Sequence, residues 1–468
     1  MLLKASSQSL TDQLAARFGE RIRNRLLAPG ARLPSVRQCA EQQGVSPSTV
    51  VAAYDQLLAQ GLVEARKNRG FFVREAATQE GVADRPQRPA APRGPGPVNA
   101  TSLIRGMFHR ASNKPQPGMG VLPTEWLESS FLPAAVRKVT GTQLLQAFSL
   151  QYGEPLGDAG LRRALSTKLA GLNVPVPPEH IITTIGATHA LDIVSRTLLR
   201  PGDPVMVEEP GWAVEFARLS ALGMRLLPVP RRADGPDLQV MAKYCQVHKP
   251  KLYVSVSVFH NPTSYCLSPG SAHRLLQLAN QHGFHIVEDD TYSHIAPPHA
   301  TRLSALDGLQ RTIYVGGFAK ILAPNWRIGF IAAPEALVEP LLDTKLLTTL
   351  TTPALLEKAL AVCIEQGQLR RHSERIRTRL DLARSRSVKL ALHAGCRFAA
   401  EPAGLFGWVD TGVDTDALSQ RMLDEGYLLA PGALFHAQRQ ASTLMRINFA
   451  TTQDAAFWKK YVELARKM

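Results

Sequence analysis

The sequence predicts an α/β protein in which a small module of three helices and a hairpin precedes a larger domain built on a mainly parallel sheet. Three observations lead there. Residues 9–74 read as three helical segments and two short strands, residues 77–117 contain a proline- and glycine-rich stretch, and from about residue 118 short apolar runs alternate with helical patterns.

The composition bounds the possibilities. A chain of 468 residues with 45% hydrophobic and 20% charged residues has room for about three domains, each with its own core. No stretch approaches the roughly 18 uninterrupted apolar residues of a membrane span, and Met1-Leu2-Leu3-Lys4-Ala5-Ser6-Ser7 lacks the apolar core of a secretory signal, so a soluble, cytoplasmic protein is expected. The five cysteines are scattered without C-x-x-C spacing and read as reduced packing thiols. His282, His285, His294 and His299 lack the helical pair with acidic support that a zinc site needs, and no metal is expected. A formal net charge of +15 favours contact with a polyanion without deciding it.

Along residues 9–28, Leu10, Leu14, Phe18, Ile22 and Leu26 recur at helical spacing among Arg17, Arg21, Arg23 and Arg25, and Pro29-Gly30 stops the pattern. A second helix is expected over residues 35–43, ended by Gly44. Ser46-Pro47 opens a third through Leu58: the serine hydroxyl can accept from a free first-turn amide, and proline at the first position loses only an N–H that has no helical partner. After Gly61, residues 62–66 and 70–74 form a hairpin pattern around Lys67-Asn68-Arg69. Three helices followed by a hairpin is the order of a winged helix-turn-helix.

This region resembles the GntR family of bacterial regulators through Gly30-Ala31-Arg32-Leu33-Pro34-Ser35-Val36-Arg37, Gly44-Val45-Ser46-Pro47-Ser48-Thr49-Val50, Tyr54-Asp55-Gln56-Leu57 and Gly61-Leu62-Val63, in the family's order and spacing. The resemblance implies DNA as a partner. The helix beginning at Ser46 would enter the major groove, Arg32, Ser35 and Arg37 would lie near phosphates, and Arg66, Lys67 and Arg69 on the wing would reach the backbone or minor groove. Where the family often places arginines on the recognition helix, this chain has Pro47, Val51 and Ala52. Base reading is then weaker, or delegated to Ser48 and Thr49.

Residues 85–97 are rich in proline, glycine and arginine and cannot build a core, so they read as a semi-extended linker. The expected domain limits are 1–76, 77–117 and 118–468. Beyond the linker, the runs at 181–184, 204–207, 252–256, 284–287 and 312–315 have the length and β-branched content of strands buried on both faces. Ligands collect at the carboxyl ends of such strands, where the informative clusters fall. Lys320 sits in a glycine turn, Gly316-Gly317-Phe318-Ala319-Lys320, just after the last run. Burial and neighbouring positive charge lower the pKa of such an amine and suit it to hold an aldehyde.

These clusters resemble the fold-type I pyridoxal-phosphate enzymes of the aminotransferase class over nearly all of residues 118–468, and the whole chain resembles MocR-type regulators. That implies a large, mainly parallel sheet domain, a small α+β domain, pyridoxal 5'-phosphate as cofactor and an amino-acid or amine effector or substrate. It also implies roles, residue by residue. Gly186, Ala187 and Thr188 would hold the phosphate at a helix start, and Trp212 would stack on the ring. Asn261 and Tyr292 would bond the ring oxygen. Asp289, three residues before Tyr292, would pair with the pyridine nitrogen, with Asp290 a competing assignment. Lys320 would bind the cofactor aldehyde and move a proton, so that Lys320, Asp289 and Tyr292 form the catalytic set.

Arg327 would grip the phosphate, and Arg446, together with Asn261, would clamp a substrate carboxylate. Tyr152 would reach the phosphate of a neighbouring subunit, which implies a homodimer. One position departs from the family pattern: Gly317 stands where a serine commonly offers a hydroxyl, which should weaken phosphate binding by about 1 kcal/mol. Two functions follow from the resemblance: a regulator that senses an amino compound or the cofactor, or an active aminotransferase with a vestigial DNA-binding module.

Overall fold

The structure, a computed structural model, describes residues 8–23, 27, 29–66, 69–74, 104 and 114–468. Lys67 of the wing and nearly all of the expected linker lie outside them. The amino-terminal module contains α1 (Leu10–Arg23), α2 (Val36–Gln43), α3 (Pro47–Ala59), β1 (Val63–Arg66) and β2 (Gly70–Val73). Its helix starts follow from local chemistry. Ser35 and Gln38 form a reciprocal capping box, and Ser46 Oγ accepts from the Thr49 amide at 3.1 Å. Leu14, Phe18 and Ile22 of α1 close a core with Val50, Ala53, Tyr54 and Leu57 of α3. The buried Tyr54 hydroxyl donates to the Pro34 carbonyl at 2.9 Å, so the ring is buried without an orphaned polar atom. Residues 31–33 lie along the hairpin through Leu33 N to Phe71 O and Val73 N to Ala31 O, which places Arg32 at the base of the wing.

The large domain carries seven strands: β3 (Ile181–Thr184), β4 (Pro204–Glu209), β5 (Arg225–Pro230), β6 (Leu252–Ser255), β7 (His285–Asp289), β8 (Thr312–Gly317) and β9 (Gly329–Ala332). They lie in the order β3-β9-β8-β7-β6-β4-β5, with every pair parallel except those that β9 makes. The five expected strands are present. Two more, β5 and β9, complete the sheet: β5 contains Pro228 and Pro230, which an edge strand tolerates, and β9 is only four residues long. The carboxyl ends of β3, β4, β6, β7 and β8 therefore share one edge.

A single helix, Gln368–His393, about 39 Å long, leads from this domain to the small one. The arginine-rich segment at 370–379 lies on it and keeps Leu369, Ile376 and Leu380 buried, as its apolar spacing predicts. The small domain holds an antiparallel sheet in the order β10 (Arg397–Phe398), β11 (Phe406–Asp410), β13 (Leu444–Asn448), β12 (Ala430–Pro431).

Residues 114–121 cross from the linker side into this domain. Lys114 Nζ donates to Glu425 O at 2.7 Å and the Gly118 amide to Leu428 O at 2.8 Å, so packing begins a few residues before the expected limit at 118. Beside that segment, Asp424 at the end of the helix Thr415–Asp424 meets α1: Arg21 Nη2 lies 2.6 Å and Arg17 Nη2 3.6 Å from its Oδ1.

Candidate functional site

The site forms where the carboxyl edge of the large sheet faces β13. Lys320 Nζ, partly buried on the turn after β8, donates to Gly120 O at 2.7 Å and lies 5.8 Å from the centre of the Tyr292 ring. Burial pushes its pKa down to about 8, helped by the positive charges of Arg446 and Arg327 and opposed by Asp289. Asp289, the last residue of β7, is buried, and its pKa rises to about 6 because desolvation outweighs hydrogen bonds from the Thr291 amide and hydroxyl. It has no ion-pair partner among the described residues. Asp290 differs: Arg302 Nε lies 2.6 Å from its Oδ2, and the Tyr314 hydroxyl donates to the same oxygen at 2.9 Å. Of the two competing carboxylates, Asp290 is thus engaged in a buried pair and Asp289 is left facing the site.

Arg446 crosses the domain junction. Its Nη1 donates to Asn261 Oδ1 at 2.9 Å and its Nη2 to Gly118 O at 2.5 Å, while Nε is buried without a partner among the described residues. The guanidinium lies over Phe406 at 4.3 Å and Phe435 at 5.2 Å. Burial lowers its pKa to about 10. Tyr292 packs edge-on against Phe406, and burial raises its phenol pKa.

On the opposite side, Gly186, Ala187 and Thr188 form the first turn of the helix Gly186–Leu198, which has no side-chain cap. Gly186 has φ +77°, and a Cβ there would fall 2.9 Å from Arg327 Nη2, so glycine is what lets the guanidinium approach this turn. A Cβ on Gly317 would sit 3.5 Å from the Ala187 amide nitrogen, which puts the departing position against the same turn. Trp212 begins the helix Ala213–Ala221 and is partly buried. Tyr152 is 84% exposed.

The predicted residues Lys320, Asp289, Tyr292, Asn261 and Arg446 therefore converge, with Gly186, Ala187, Thr188 and Arg327 at one end. Sequence reasoning missed the strap from Gly118 to Val121, whose carbonyls reach Lys320 and Arg446. It also missed Asn448, whose side-chain amide donates to Met119 O at 2.9 Å and Val121 O at 2.7 Å. Asn448 was findable: it lies two positions beyond Arg446 on the same strand, so it shares that residue's face. Backbone acceptors leave no residue-type signal.

In the amino-terminal module, Arg32, Ser35, Arg37, Ser46, Ser48 and Arg69 are exposed, and Thr49 and Arg66 partly so. Several are already committed locally. Ser46 Oγ lies 2.8 Å from both Ser48 Oγ and Thr49 Oγ1, and Arg66 pairs with Glu64 at 2.7 Å while covering the Phe72 ring.

Comparison with known proteins agrees with both halves. Residues 122–457 match the family "Aminotransferase class I and II", and residues 10–73 match "Bacterial regulatory proteins, gntR family". The chain is 32% identical over 376 residues to the probable rhizopine catabolism regulatory protein MocR of Rhizobium meliloti, covering 76% of this chain and 73% of that protein. It is 27% identical over 464 residues to the HTH-type transcriptional regulator YisV of Bacillus subtilis, covering 94% and 93%. Among solved structures, the α-aminoadipate aminotransferase LysN of Thermus thermophilus superposes with a TM-score of 0.69 at 25% identity, covering 78% of this chain and 93% of that one. With most of its length in one family match and a GntR-type domain ahead of it, the chain belongs to the class I and II aminotransferase family, in the MocR-type branch of GntR regulators.

Proposed function

We propose that this protein is a pyridoxal-phosphate-dependent transcriptional regulator: it binds DNA through the amino-terminal module and uses the aminotransferase-like site to sense an amino compound or the cofactor. The observation that carries the reading is the convergence of Lys320, Asp289, Asn261 and Arg446 in a chain that also bears a winged helix-turn-helix.

The residues fit the cofactor on three counts. Asp289 is a buried carboxylate that lacks a cation among the described residues, as a partner for a ring nitrogen would. Gly186 leaves open a cradle between a helix start and Arg327, as a phosphate requires. Lys320 has a depressed pKa of about 8, so at pH 7 about a tenth of it is the free amine. When bound, the cofactor would supply an electron sink for cleavage of a bond at the substrate α-carbon.

The side chains have distinct tasks. Lys320 would hold the aldehyde and later carry a proton at the α-carbon, Tyr292 and Asn261 would orient the ring oxygen, and Asp289 would keep the ring nitrogen protonated. Arg446, whose buried Nε has an open hydrogen-bond site, would take an effector carboxylate, and Trp212 would cover the ring. The exposure of Tyr152 supports a homodimer in which it reaches a second subunit's phosphate.

Two measurements test the proposal. Protein supplied with the cofactor should show a visible band that borohydride fixes to the chain, and Lys320→Ala should abolish that fixation. Intact protein should bind a DNA fragment flanking its own coding region more tightly than unrelated DNA, with salt-sensitive affinity. Absence of both would sink the reading. A second reading, active transamination, is favoured by the retention of Lys320, Asp289 and Arg446 together. Single-turnover conversion with a panel of amino acids distinguishes it, and no conversion by any donor rejects it.

A further inference from the structure

Away from the Lys320 site, one of the cavities among the described residues, of about 540 Å³, lies between the helix Ala159–Ala170, the turn after Tyr292 and the start of the helix Gln368–His393. Its apolar wall includes Ala164, Leu172, Ile364 and Leu369. Its polar wall is one-sided: Arg163, Lys168, Arg370 and Arg377 face a single carboxylate, Glu365. Arg370 is spread over Glu374 at 3.2 Å and Arg377 donates to Ala296 O at 3.4 Å. Lys168 has no hydrogen bond or ion pair among the described residues.

A lysine on an exposed helix face needs no partner, because water solvates it. Lys168 is half-buried in the cavity wall. Burial lowers its pKa to about 8, and the charge that favours its protonated form, Asp290, is already bound by Arg302 at 2.6 Å. Arg302 itself keeps one guanidinium nitrogen, Nη2, buried without a partner among the described residues. Among the lining residues four cations therefore face one carboxylate, Glu365, while the apolar wall leaves room for a molecule of the size of an aromatic acid.

We propose that this cavity is a second, regulatory ligand site that takes a small organic anion, a carboxylate or phosphate monoester with an apolar body, whose charged group pairs with Lys168. The site is distinct from the one around Lys320, and it touches two elements that lead elsewhere. Ser293 and His294 on its wall follow Tyr292 directly, and the His294 ring packs on Phe318, two residues before Lys320. Its other wall, the helix Gln368–His393, runs to the small domain, where Ser387 Oγ meets Thr452 Oγ1 at 2.5 Å. An occupant would thus bear on the cofactor turn and on the small domain, which carries Asp424 against α1. The inference extends the regulator reading, yet its binding test does not depend on DNA or on the cofactor.

The test is titration of the full-length protein with benzoate, phenyl phosphate and inorganic phosphate, followed by calorimetry, with and without pyridoxal phosphate. Saturable binding of benzoate or phenyl phosphate should weaken about tenfold in Lys168→Met, which keeps the aliphatic stem and loses the charge. The borohydride-fixed visible band at Lys320 should be unchanged in that variant, which separates this site from the cofactor reading. Preference for phenyl phosphate over benzoate would identify a phosphate ligand, and the reverse a carboxylate. Lack of saturable binding by both organic probes, or equal binding by Lys168→Met and the parent, overturns the proposal. A Lys168→Arg variant, which retains charge, should restore binding, and its failure to do so while correctly folded would also overturn it.

Discussion

Asp289 and Gly317 show how single residues tune the site. Asp289 is protonated in both folded and unfolded chains below about pH 4. Between about pH 4 and 6 only the folded state retains the proton, so stability falls as pH rises through that window; above it the cost of burying the charge is complete. Cofactor-free Asp289→Asn should therefore be more stable than the parent at pH 7 by up to about 3 kcal/mol, with the difference fading toward pH 4 in denaturant titrations. In the proposed role of Asp289 as the ring nitrogen's partner, the same substitution should weaken cofactor binding. Equal stability of the two proteins at pH 7 would contradict the unpaired carboxylate. At Gly317 a Cβ meets Ala187 only at ordinary contact distance, so Gly317→Ser fits and points a hydroxyl at the phosphate turn. It should tighten cofactor binding by about 1 kcal/mol, roughly fivefold, in a fluorescence titration.

At the scale of elements, α3 presents Val51, 42% exposed, and exposed Ala52 and Ser48 where a guanidinium fork would read guanine. Methyl groups on such a face suit the thymine methyl. Replacing thymine by uracil at contacted positions of a selected operator should cost about 0.8 kcal/mol per site, close to fourfold, and Val51→Ser should remove that difference. Affinity indifferent to the methyl would show that α3 does not read through this face. Ser46→Ala should cost the amino-terminal module about 1 kcal/mol through the lost cap, seen as a lower midpoint for its unfolding.

These elements were legible because their signals are local: the caps at Ser35 and Ser46, the spacing of Leu14, Phe18 and Ile22, and the five apolar runs of the large sheet all lie within short windows. By contrast, β5 and β9 were not legible. Each pairs with the strand just before it in sequence, β4 or β8, so what hid them is composition: two prolines in β5 and a glycine at the start of β9 weaken the local strand signal.

For the molecule as a whole, the contact of Arg17 and Arg21 with Asp424 joins the reader module to the small domain within one chain. Charge reversal by Asp424→Arg should release it. Hydrogen exchange in α1 should accelerate while the borohydride-fixed band at Lys320 stays intact, and unchanged exchange in α1 would show that the pair does not hold the modules together. The sequence by itself determined the order of modules, the strand-end position of Lys320 and the residue types that pyridoxal phosphate needs, because capping, periodicity and turn chemistry act between near neighbours. Only the tertiary structure paired Asp290 with Arg302 and left Asp289 without an ion-pair partner among the described residues, brought the Gly118–Gly120 carbonyls to Arg446 and Lys320, and placed Lys168 in the wall of a cavity. Those outcomes depend on which partner is left over after distant elements pack, as Arg302 taking Asp290 shows, and no local window contains that information.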